Sequence, residues 1–360
     1  MHKELYFDEC MTYGNLRRAL NRCCRNVRWK DSVIGYELHA SQHTHALLNS
    51  IRSGSYQLSP YQRFIINEPK RREIVATRIA DRQVQMALCE GGLYDDLVEH
   101  FIYDNCACQK GKGTDFCLKR MRKHIADHVR KHGSNGYVLK LDVHHFFPST
   151  LHEVAKNAVR KRVTDPKACK MVCDVIDSFG GDRGIGLGSQ ISQLVELAVL
   201  DDLDHFIKEQ LHIKHYVRYM DDFVLIHEDK DYLKYCWERI SEELGKIGLE
   251  LNEKSTLYPL SQGVKFLQWR FIVTESGKIV QKISPKKMGR QRRKMKKILY
   301  KEETGEYVVG TAFTSLTAWC ANAARGDSYF QRQHMKHYYY TVKAGIANGK
   351  RQNETAESRT

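Results

Sequence analysis

The stretch VRYMDDFVLIHED, residues 217–229, places two adjacent carboxylates between two apolar segments. Side chains in a β-strand alternate between the two faces, and the apolar residues on both sides of the acidic pair fit two short strands. We therefore predict a hairpin with Met220, Asp221 and Asp222 at its tip, in which one aspartate points into a cleft and its neighbour flanks the turn. The alternative is that aspartate is present here only because it suits a tight turn.

A third aspartate favours a chemical role for this pair. Asp142 ends the apolar run VLKLD, which is expected to form a strand beside the hairpin. Three clustered carboxylates repel one another unless cations neutralise them, and Mg²⁺ prefers one or two carboxylates together with substrate phosphates. Two such ions about 3.5–4 Å apart stabilise the attacking and leaving oxygens of a phosphoryl transfer. The three aspartates therefore predict two-metal nucleotidyl transfer.

The charge of the chain favours a polyanionic partner. The 360 residues include 58 Lys or Arg against 43 Asp or Glu, which gives a formal net charge of +15. Nucleic acid is the first candidate for this partner, and an anionic membrane surface is the second. No apolar run approaches the roughly 20 residues of a membrane span, and the N-terminus lacks the apolar segment of a signal peptide. These features predict a cytoplasmic protein without a membrane partner.

Cysteine and histidine patterns give little support for a structural metal site. Eleven cysteines without a secretory signal favour reduced thiols, and the absence of a CxxC pair argues against structural zinc. His124, His128 and His132 recur at every fourth residue and therefore share one helix face. Because Lys and Arg surround them, we expect a solvated basic face and not a metal site.

The order of the expected elements indicates an α+β fold with an antiparallel sheet backed by helices. Residues 1–55 have helical patterns, 61–76 fit two strands around a turn, and 81–101 fit one helix. A glycine-rich loop, residues 180–190, leads into a long helix that precedes the acidic hairpin. A basic helical part follows the hairpin, and the polar composition of the C-terminal end predicts disorder.

The sequence resembles the reverse transcriptases. YMDD at 219–222 and LDVHHFFPS at 141–149 are similar to the palm motifs of that family, and the other segments follow in the family's order from about Tyr56 to Tyr340. The resemblance implies an RNA-directed DNA polymerase with a right-hand arrangement of palm, fingers and thumb. It also implies that two Mg²⁺ ions, for which Mn²⁺ can substitute, are held by Asp142, the backbone of Val143, Asp221 and Asp222.

The resemblance also divides the chain into segments. These are an N-terminal helical extension (1–55), interleaved fingers and palm (56–282), a basic helical thumb (283–345) and a disordered tail (346–360). GVKFLQWRF, residues 263–271, resembles the hairpin that grips the primer. Eight of the twelve residues 286–297 are Lys or Arg. Such a run is usually a solvated face, but it falls where the thumb helix of the family follows the duplex backbone through salt-sensitive phosphate contacts.

Several residues match the nucleotide pocket of the family. In EPKRREI, residues 68–74, Arg72 matches the arginine that binds the incoming triphosphate, and Lys70 matches the basic residue two positions before it. Phe147 matches an aromatic residue that lies under the sugar and excludes a 2′-hydroxyl, which favours deoxynucleotides. Lys254 matches a lysine proposed to protonate the departing pyrophosphate. Taken alone, these residues would be an exposed basic turn, a core phenylalanine and a surface lysine.

The loop GIGLGSQISQ, residues 184–193, narrows the resemblance to one subgroup. Most reverse transcriptases carry Pro-Gln-Gly here, with the glutamine beside the templating base and the new nucleotide, and close the loop with Ser-Pro. This chain has Leu187 in place of the glutamine and closes with Ser192 and Gln193, as in enzymes of diversity-generating retroelements. Those enzymes copy a template RNA with errors chiefly at adenines. Gly186 departs from the proline that usually precedes this position.

The subgroup implies particular partners. They are a template RNA and its RNA/DNA hybrid, dNTPs, and a small basic accessory protein that forms a ring, in a bacterial or phage-encoded system. One alternative is a related bacterial reverse transcriptase that serves phage defence or another single-gene retroelement, and the neighbouring genes would distinguish the two. A second alternative is an RNA-binding protein with a relic polymerase fold. The presence of all three aspartates argues against it.

Overall fold

The computed structural model describes the backbone of residues 5–67 and 71–357, and the side chains of those up to residue 348. The helices are α1 (Phe7–Cys10), α2 (Tyr13–Cys23), α3 (Asp31–Leu38), α4 (Ala40–Arg52), α5 (Ile79–Leu88), α6 (Tyr94–Val98), α7 (Thr114–His132), α8 (Phe146–Ser149), α9 (His152–Arg160), α10 (Pro166–Asp177), α11 (Gln190–Val199), α12 (Asp201–His205), α13 (Lys230–Lys246), α14 (Pro285–Glu303), α15 (Thr311–Ala323) and α16 (Tyr329–Glu357). The strands are β1 (Gln62–Ile66), β2 (Arg72–Ala76), β3 (Tyr137–Asp142), β4 (His215–Tyr219), β5 (Asp222–His227), β6 (Thr256–Pro259), β7 (Val264–Phe266), β8 (Trp269–Val273) and β9 (Ile279–Ile283).

The chain forms two compact units, each assembled from three segments. The first consists of Met1–Cys117, Leu139–Leu225 and Asp231–Thr256. The second consists of Leu118–Val138, Ile226–Lys230 and Leu257–Thr360. All the residues predicted to act on the nucleotide or on a metal belong to the first unit.

The segment 61–76 forms the predicted pair of strands in the first unit. β1 and β2 are antiparallel, with Gln62 opposite Ala76 and Ile66 opposite Arg72. Aromatic and β-branched residues occupy three of the five positions of β1 and two of the five of β2, and such residues favour extended backbone. The connecting turn, with Lys70, lies outside the described residues. The pairing therefore puts Arg72 at the end of the hairpin nearest the turn.

The acidic hairpin and the strand predicted beside it belong to one four-stranded sheet. Within this sheet β4, β5 and β3 are neighbours in that order, which confirms the predicted pairing. The interior residues of β4 and β5 are buried. α11 is buried along nearly its whole length, and it is capped by the preceding residue, Ser189, whose hydroxyl accepts the Ser192 amide hydrogen at 3.0 Å. This side-chain cap satisfies an amide at the helix start, which is why the glycine-rich loop ends there.

The helix predicted over 81–101 is interrupted. α5 ends at Leu88, one π-helical turn spans Cys89–Leu93, and α6 follows. A Cβ atom at Gly92 would lie 2.6 Å from the ring of Tyr6, and one at Gly91 would overlap the sulfur of Cys10. The two glycines therefore let the N-terminal segment approach the helix backbone closely, and the wider turn accommodates that approach.

The second unit joins a three-stranded sheet to the C-terminal helices. β7, β8 and β9 are antiparallel neighbours. The Asp327 carboxylate accepts the Gln281 amide hydrogen at 2.8 Å, and the Gln331 amide donates to the Ile283 carbonyl at 2.9 Å. These two bonds attach Asp327 and the first turn of α16 to β9, an edge strand of this sheet. The helices share a core of Met295, Ile298, Leu299, Ala312, Leu316, Met335 and Tyr339.

The predicted solvated face of histidines on α7 is wrong. His124 and His128 are buried, and the His128 ring stacks on that of His132 with centroids 5.0 Å apart. The Nε2 atom of His128 lies 2.7 Å from the Asn135 carbonyl oxygen. Burial lowers the pKa of His128, which favours the neutral imidazole. The face is thus a packing surface of the second unit. The prediction failed because the Lys and Arg residues beside the histidines in sequence do not determine whether the histidine face is exposed.

The last helix extends farther than composition predicts. α16 continues to Glu357, across most of the segment 346–360 for which disorder was expected, and residues 358–360 lie outside the described part. Although α16 has 29 residues, neither it nor any other helix in the described ranges is long and apolar enough to cross a membrane.

Candidate active site

The tip of the acidic hairpin is a two-residue turn of Met220 and Asp221. Asp222 is already the first residue of β5, so the tip is one residue shorter than predicted. Met220 has a φ of 57°, in the left-handed region that residues other than glycine seldom adopt. Such tight turns suit the right-handed twist of paired strands. The cost of this backbone conformation requires support from the surrounding residues.

Arg218 provides that support from within the sheet. It is fully buried, and its guanidinium donates to both oxygens of the Asp204 carboxylate, at 2.7 and 2.5 Å. It also donates to the Met220 carbonyl oxygen at 3.1 Å. The Tyr216 hydroxyl donates to the same carboxylate at 2.6 Å. The backbone immediately before Asp221 is therefore held by a buried ion pair whose planar donors have fixed directions.

Asp142 and Asp221 are brought together at the C-terminal end of β3. The Val143 amide, just after Asp142, donates to the Asp221 carbonyl oxygen at 3.2 Å. Burial, together with the negative charges of Asp142 and Asp222, raises the pKa of Asp221 to about 6. The Asp221 carboxylate thus carries a repulsion that a bound cation would relieve.

Asp222 has a different environment from Asp221. Its carboxylate forms an ion pair with Lys140 of β3 at 3.0 Å. In the described part of the chain, no group of three or more His, Cys, Asp or Glu side chains is arranged to hold a metal ion. The available donors still fit Mg²⁺, because the carboxylates of Asp142 and Asp221 and the carbonyl of Val143 are oxygen ligands. The complete ligand set, with Asp222, stays a prediction.

Arg72 lies in the same unit as the three aspartates, and its positive charge affects the pKa of Asp221. Its side chain is exposed at the start of β2. Its positive charge partly opposes the rise in the pKa of Asp221, so the two side chains lie within electrostatic range. An exposed guanidinium is a suitable partner for a phosphate group, because its forked donors match the phosphate oxygens. Lys70, the second predicted phosphate ligand, lies outside the described residues.

Lys254 is connected through a short turn to the end of β3, the strand that carries Asp142. The Asn252 amide donates to the Asp142 carbonyl oxygen at 2.7 Å. The side-chain oxygen of Asn252 accepts the Lys254 amide hydrogen at 3.1 Å. The Lys254 side chain is exposed. The structure therefore brings its backbone near Asp142, while its role as a proton donor stays a prediction.

The two phenylalanines after Asp142 have different environments. Phe146 is 2% exposed and belongs to the core, whereas Phe147 is partly exposed. The Ile185 amide donates to the Phe147 carbonyl oxygen at 2.8 Å, which ties α8 to the start of the glycine-rich loop. The alternative of a simple core phenylalanine therefore fits Phe146 and not Phe147.

The glycine-rich loop is bonded to the strand that carries Arg72. The Val75 amide donates to the Leu187 carbonyl oxygen at 3.0 Å. Gly188 has a φ of 144°, and a Cβ atom there would lie 2.7 Å from the Val75 carbonyl oxygen. Only glycine permits this approach. The Leu187 side chain is half-buried, as is that of Gln193 in the first turn of α11.

Sequence reasoning missed two functional candidates, Arg218 and Glu196. Glu196 lies fully buried on α11, where one of its oxygens lies 2.9 Å from the Thr150 hydroxyl oxygen. Each residue leaves a recognisable signal, since each is a single charged residue within an apolar helix or strand. That signal says that a partner is needed but not which residue supplies it.

Comparison with known proteins agrees with this site. A sequence profile of the family described as reverse transcriptase (RNA-dependent DNA polymerase) matches residues 67–271, which is more than half of the chain. No curated protein sequence matches the chain.

Similar solved structures include two telomerases. Apo telomerase from Candida tropicalis gives a TM-score of 0.52 at 12% identity, over 84% of this chain and 67% of that one. Telomerase from Candida albicans, in complex with the TWJ fragment of telomeric RNA, gives a TM-score of 0.50 at 10% identity, over 80% of this chain and 55% of that one. Likeness at such low identity concerns the fold alone, and it confirms the predicted α+β polymerase fold. Together with the profile match, it shows that the chain belongs to the reverse transcriptase family of RNA-dependent DNA polymerases.

Proposed function

We propose that this reverse transcriptase copies the template RNA of a diversity-generating retroelement into error-prone cDNA. The observation that carries the proposal is the loop residue Leu187, whose backbone is bonded to Val75, the next-to-last residue of β2. A leucine beside the templating base fills space but offers no hydrogen-bond donor or acceptor. The difference in binding free energy between a correct base pair and a mispair is then smaller than it would be beside a glutamine.

The chemistry proposed for the site is two-metal nucleotidyl transfer. Asp142, the Val143 carbonyl, Asp221 and Asp222 would hold two Mg²⁺ ions, which supply the positive charge that stabilises the attacking and leaving oxygens. Arg72 and Lys70 bind the triphosphate of the incoming nucleotide. Lys254 protonates the departing pyrophosphate. The raised pKa of Asp221 supports this assignment, because burial and the nearby charges of Asp142 and Asp222 make its ionised form unfavourable unless a cation binds.

The remaining segments are proposed to hold the nucleic acid. Residues 56–282 form fingers and palm after the helical extension 1–55, and 283–345 form the thumb. The basic residues of α14 follow the backbone of the RNA/DNA hybrid. The complex of the Candida albicans telomerase with an RNA fragment supports an RNA partner for this fold. A bacterial or phage-encoded cytoplasmic system with a small basic ring-forming accessory protein completes the proposal.

Replacing Phe147 by alanine is expected to admit ribonucleotides. The partly exposed ring is the proposed barrier to a 2′-hydroxyl, and its removal should raise the use of rNTPs relative to dNTPs by about 10- to 100-fold. Single-nucleotide primer extension on an RNA template measures the ratio. Phe146→Leu is the matched control, because Phe146 is buried in the core and its change should lower stability without altering the ratio. An unchanged ratio in Phe147→Ala would mean that the sugar is sensed elsewhere.

Replacing Leu187 by glutamine is expected to lower misincorporation, most at template adenines. One hydrogen bond contributes about 0.5–1.5 kcal/mol, which corresponds to a change of several-fold in the error ratio. Leu187→Met is the control, since methionine keeps the bulk without adding strong hydrogen-bonding atoms. Sequencing the cDNA made by all three enzymes on one adenine-containing RNA measures the errors. If the wild type copies adenine as faithfully as other bases, the diversity-generating role fails and a role in phage defence becomes the better proposal.

A further inference from the structure

Glu196 is a buried carboxyl group with no cationic partner among the described residues. It lies within α11, whose neighbouring side chains are buried and apolar, and it is 0% exposed. One oxygen, Oε2, lies 2.9 Å from the Thr150 hydroxyl oxygen. The other, Oε1, has no hydrogen-bond partner in the described part of the chain. A buried acid in this position is costly, so its retention calls for an explanation.

The Thr150 hydroxyl has two oxygen atoms within hydrogen-bond distance, and this bears on whether the Glu196 carboxyl group is protonated. The Thr150 hydroxyl oxygen lies 3.0 Å from the Phe146 carbonyl oxygen as well as 2.9 Å from Glu196. A hydroxyl has one hydrogen and can donate to only one of these acceptors. If it donates to the carbonyl, the contact with Glu196 requires a hydrogen on the carboxyl group. Burial raises the pKa of Glu196, and the nearby charge of Asp221 raises it further, so the protonated form is favoured.

The contacts from Glu196 to Thr150 and from Thr150 to Phe146 lead to the turn that carries Phe147. Thr150 is the C-cap residue that follows α8, and the Thr150 hydroxyl contacts the carbonyl of Phe146, the first residue of that helix. The backbone of the same turn is held by the loop, since the Gly184 amide donates to the Thr150 carbonyl at 2.8 Å. Glu196 is therefore the side-chain link between the long buried helix and this short turn.

We propose that Glu196 is a positioning residue that donates a hydrogen bond to Thr150 and thereby fixes the α8 turn in the orientation that presents Phe147 to the sugar of the incoming nucleotide. The inference rests on the proposed role of Phe147 in selecting deoxynucleotides. It adds a determinant of sugar selectivity that contacts neither the nucleotide nor the metal ligands.

The test compares Glu196→Gln, Glu196→Leu, Thr150→Val and Thr150→Ser by kcat/KM for one dNTP and its rNTP counterpart. Glutamine keeps the shape and a donor, and serine keeps the hydroxyl, so both should keep the wild-type ratio. Glu196→Leu removes the carboxyl group and Thr150→Val removes the hydroxyl, so each variant abolishes the hydrogen bond between the two side chains. Each should raise relative rNTP use by about three- to tenfold, the size of effect that one hydrogen bond supports. The change should appear in the KM for the nucleotide more than in kcat.

Controls separate positioning from general loss of structure. Val195→Ala removes buried volume from the same helix, and it should lower the melting temperature without changing the sugar ratio. Wild-type ratios in both Glu196→Leu and Thr150→Val would overturn the proposal while leaving the role of Phe147 intact. A loss of selectivity in Glu196→Gln equal to that in Glu196→Leu would overturn the donor role. An unchanged ratio in Phe147→Ala would remove the proposed function of that ring, and the positioning role with it.

Discussion

Asp221→Asn is expected to reduce DNA synthesis by about 10³-fold or more while leaving RNA binding nearly unchanged. The loss of one of the clustered carboxylates removes several kcal/mol of metal-dependent stabilisation of the transition state. Binding persists because the basic residues of α14 are untouched. Primer extension with Mg²⁺ and dNTPs measures the first effect, and a filter or gel-shift assay with template RNA measures the second. Activity within about tenfold of the wild type would contradict the metal assignment.

The same variant should melt at or above the wild-type temperature in the absence of metal at pH 7. Burial and the neighbouring negative charges raise the pKa of Asp221 to about 6, so its ionised form is less favourable in the folded protein than in the unfolded chain. Asparagine removes that cost. Asp231→Asn makes the same chemical change at a carboxylate that is 85% exposed, and it should alter neither synthesis nor stability.

Arg218→Met is expected to lower the free energy of unfolding by about 3–5 kcal/mol, because it leaves the carboxylate of Asp204 buried without its cation. Adding Asp204→Asn removes that charge and should recover most of the stability. Synthesis should stay at least about tenfold low in the double variant, because the Met220 carbonyl still lacks its donor. Chemical denaturation and primer extension measure the two quantities separately.

Arg162→Met is the matched control for this experiment. Arg162 and Asp201 form a second buried ion pair in the same unit, with side chains 3% and 2% exposed, and Arg162 donates no hydrogen bond to the hairpin. Its loss should cost a similar free energy but leave the activity of the folded fraction intact. If the Arg218 and Asp204 double variant recovers both stability and synthesis, Arg218 supports the fold and does not position the turn.

Local patterns were sufficient to predict the elements of the site but not the partners of its side chains. The alternation around Asp221 and the apolar run before Asp142 predicted β3, β4 and β5, because extended strands repeat over a few residues. The ion pair of Asp222 with Lys140 and the bond of Glu196 to Thr150 join residues 82 and 46 positions apart. Such contacts depend on tertiary packing, which periodicity in one segment does not describe.

The histidines of α7 also show that a local pattern does not reveal which residues a side chain contacts. Their spacing correctly places them on one helix face, but composition around them predicted solvent on that face. The buried His128 contacts Asn135 and His132, and an imidazole ring can pack as an apolar body while its nitrogen keeps one polar contact. Spacing therefore identified the face, whereas only the fold determines whether that face meets water or protein.

The backbone bond between Val75 and Leu187 has a consequence for how such an enzyme diverges during evolution. The link uses main-chain atoms on both sides, so the position of the loop does not depend on which side chain residue 187 carries. If Leu187 acts as proposed, the accuracy of copying can change through that one side chain while Arg72 and the carboxylates remain as they are. A single codon change at residue 187 would then shift the error ratio by several-fold without altering the residues proposed to carry out the chemistry.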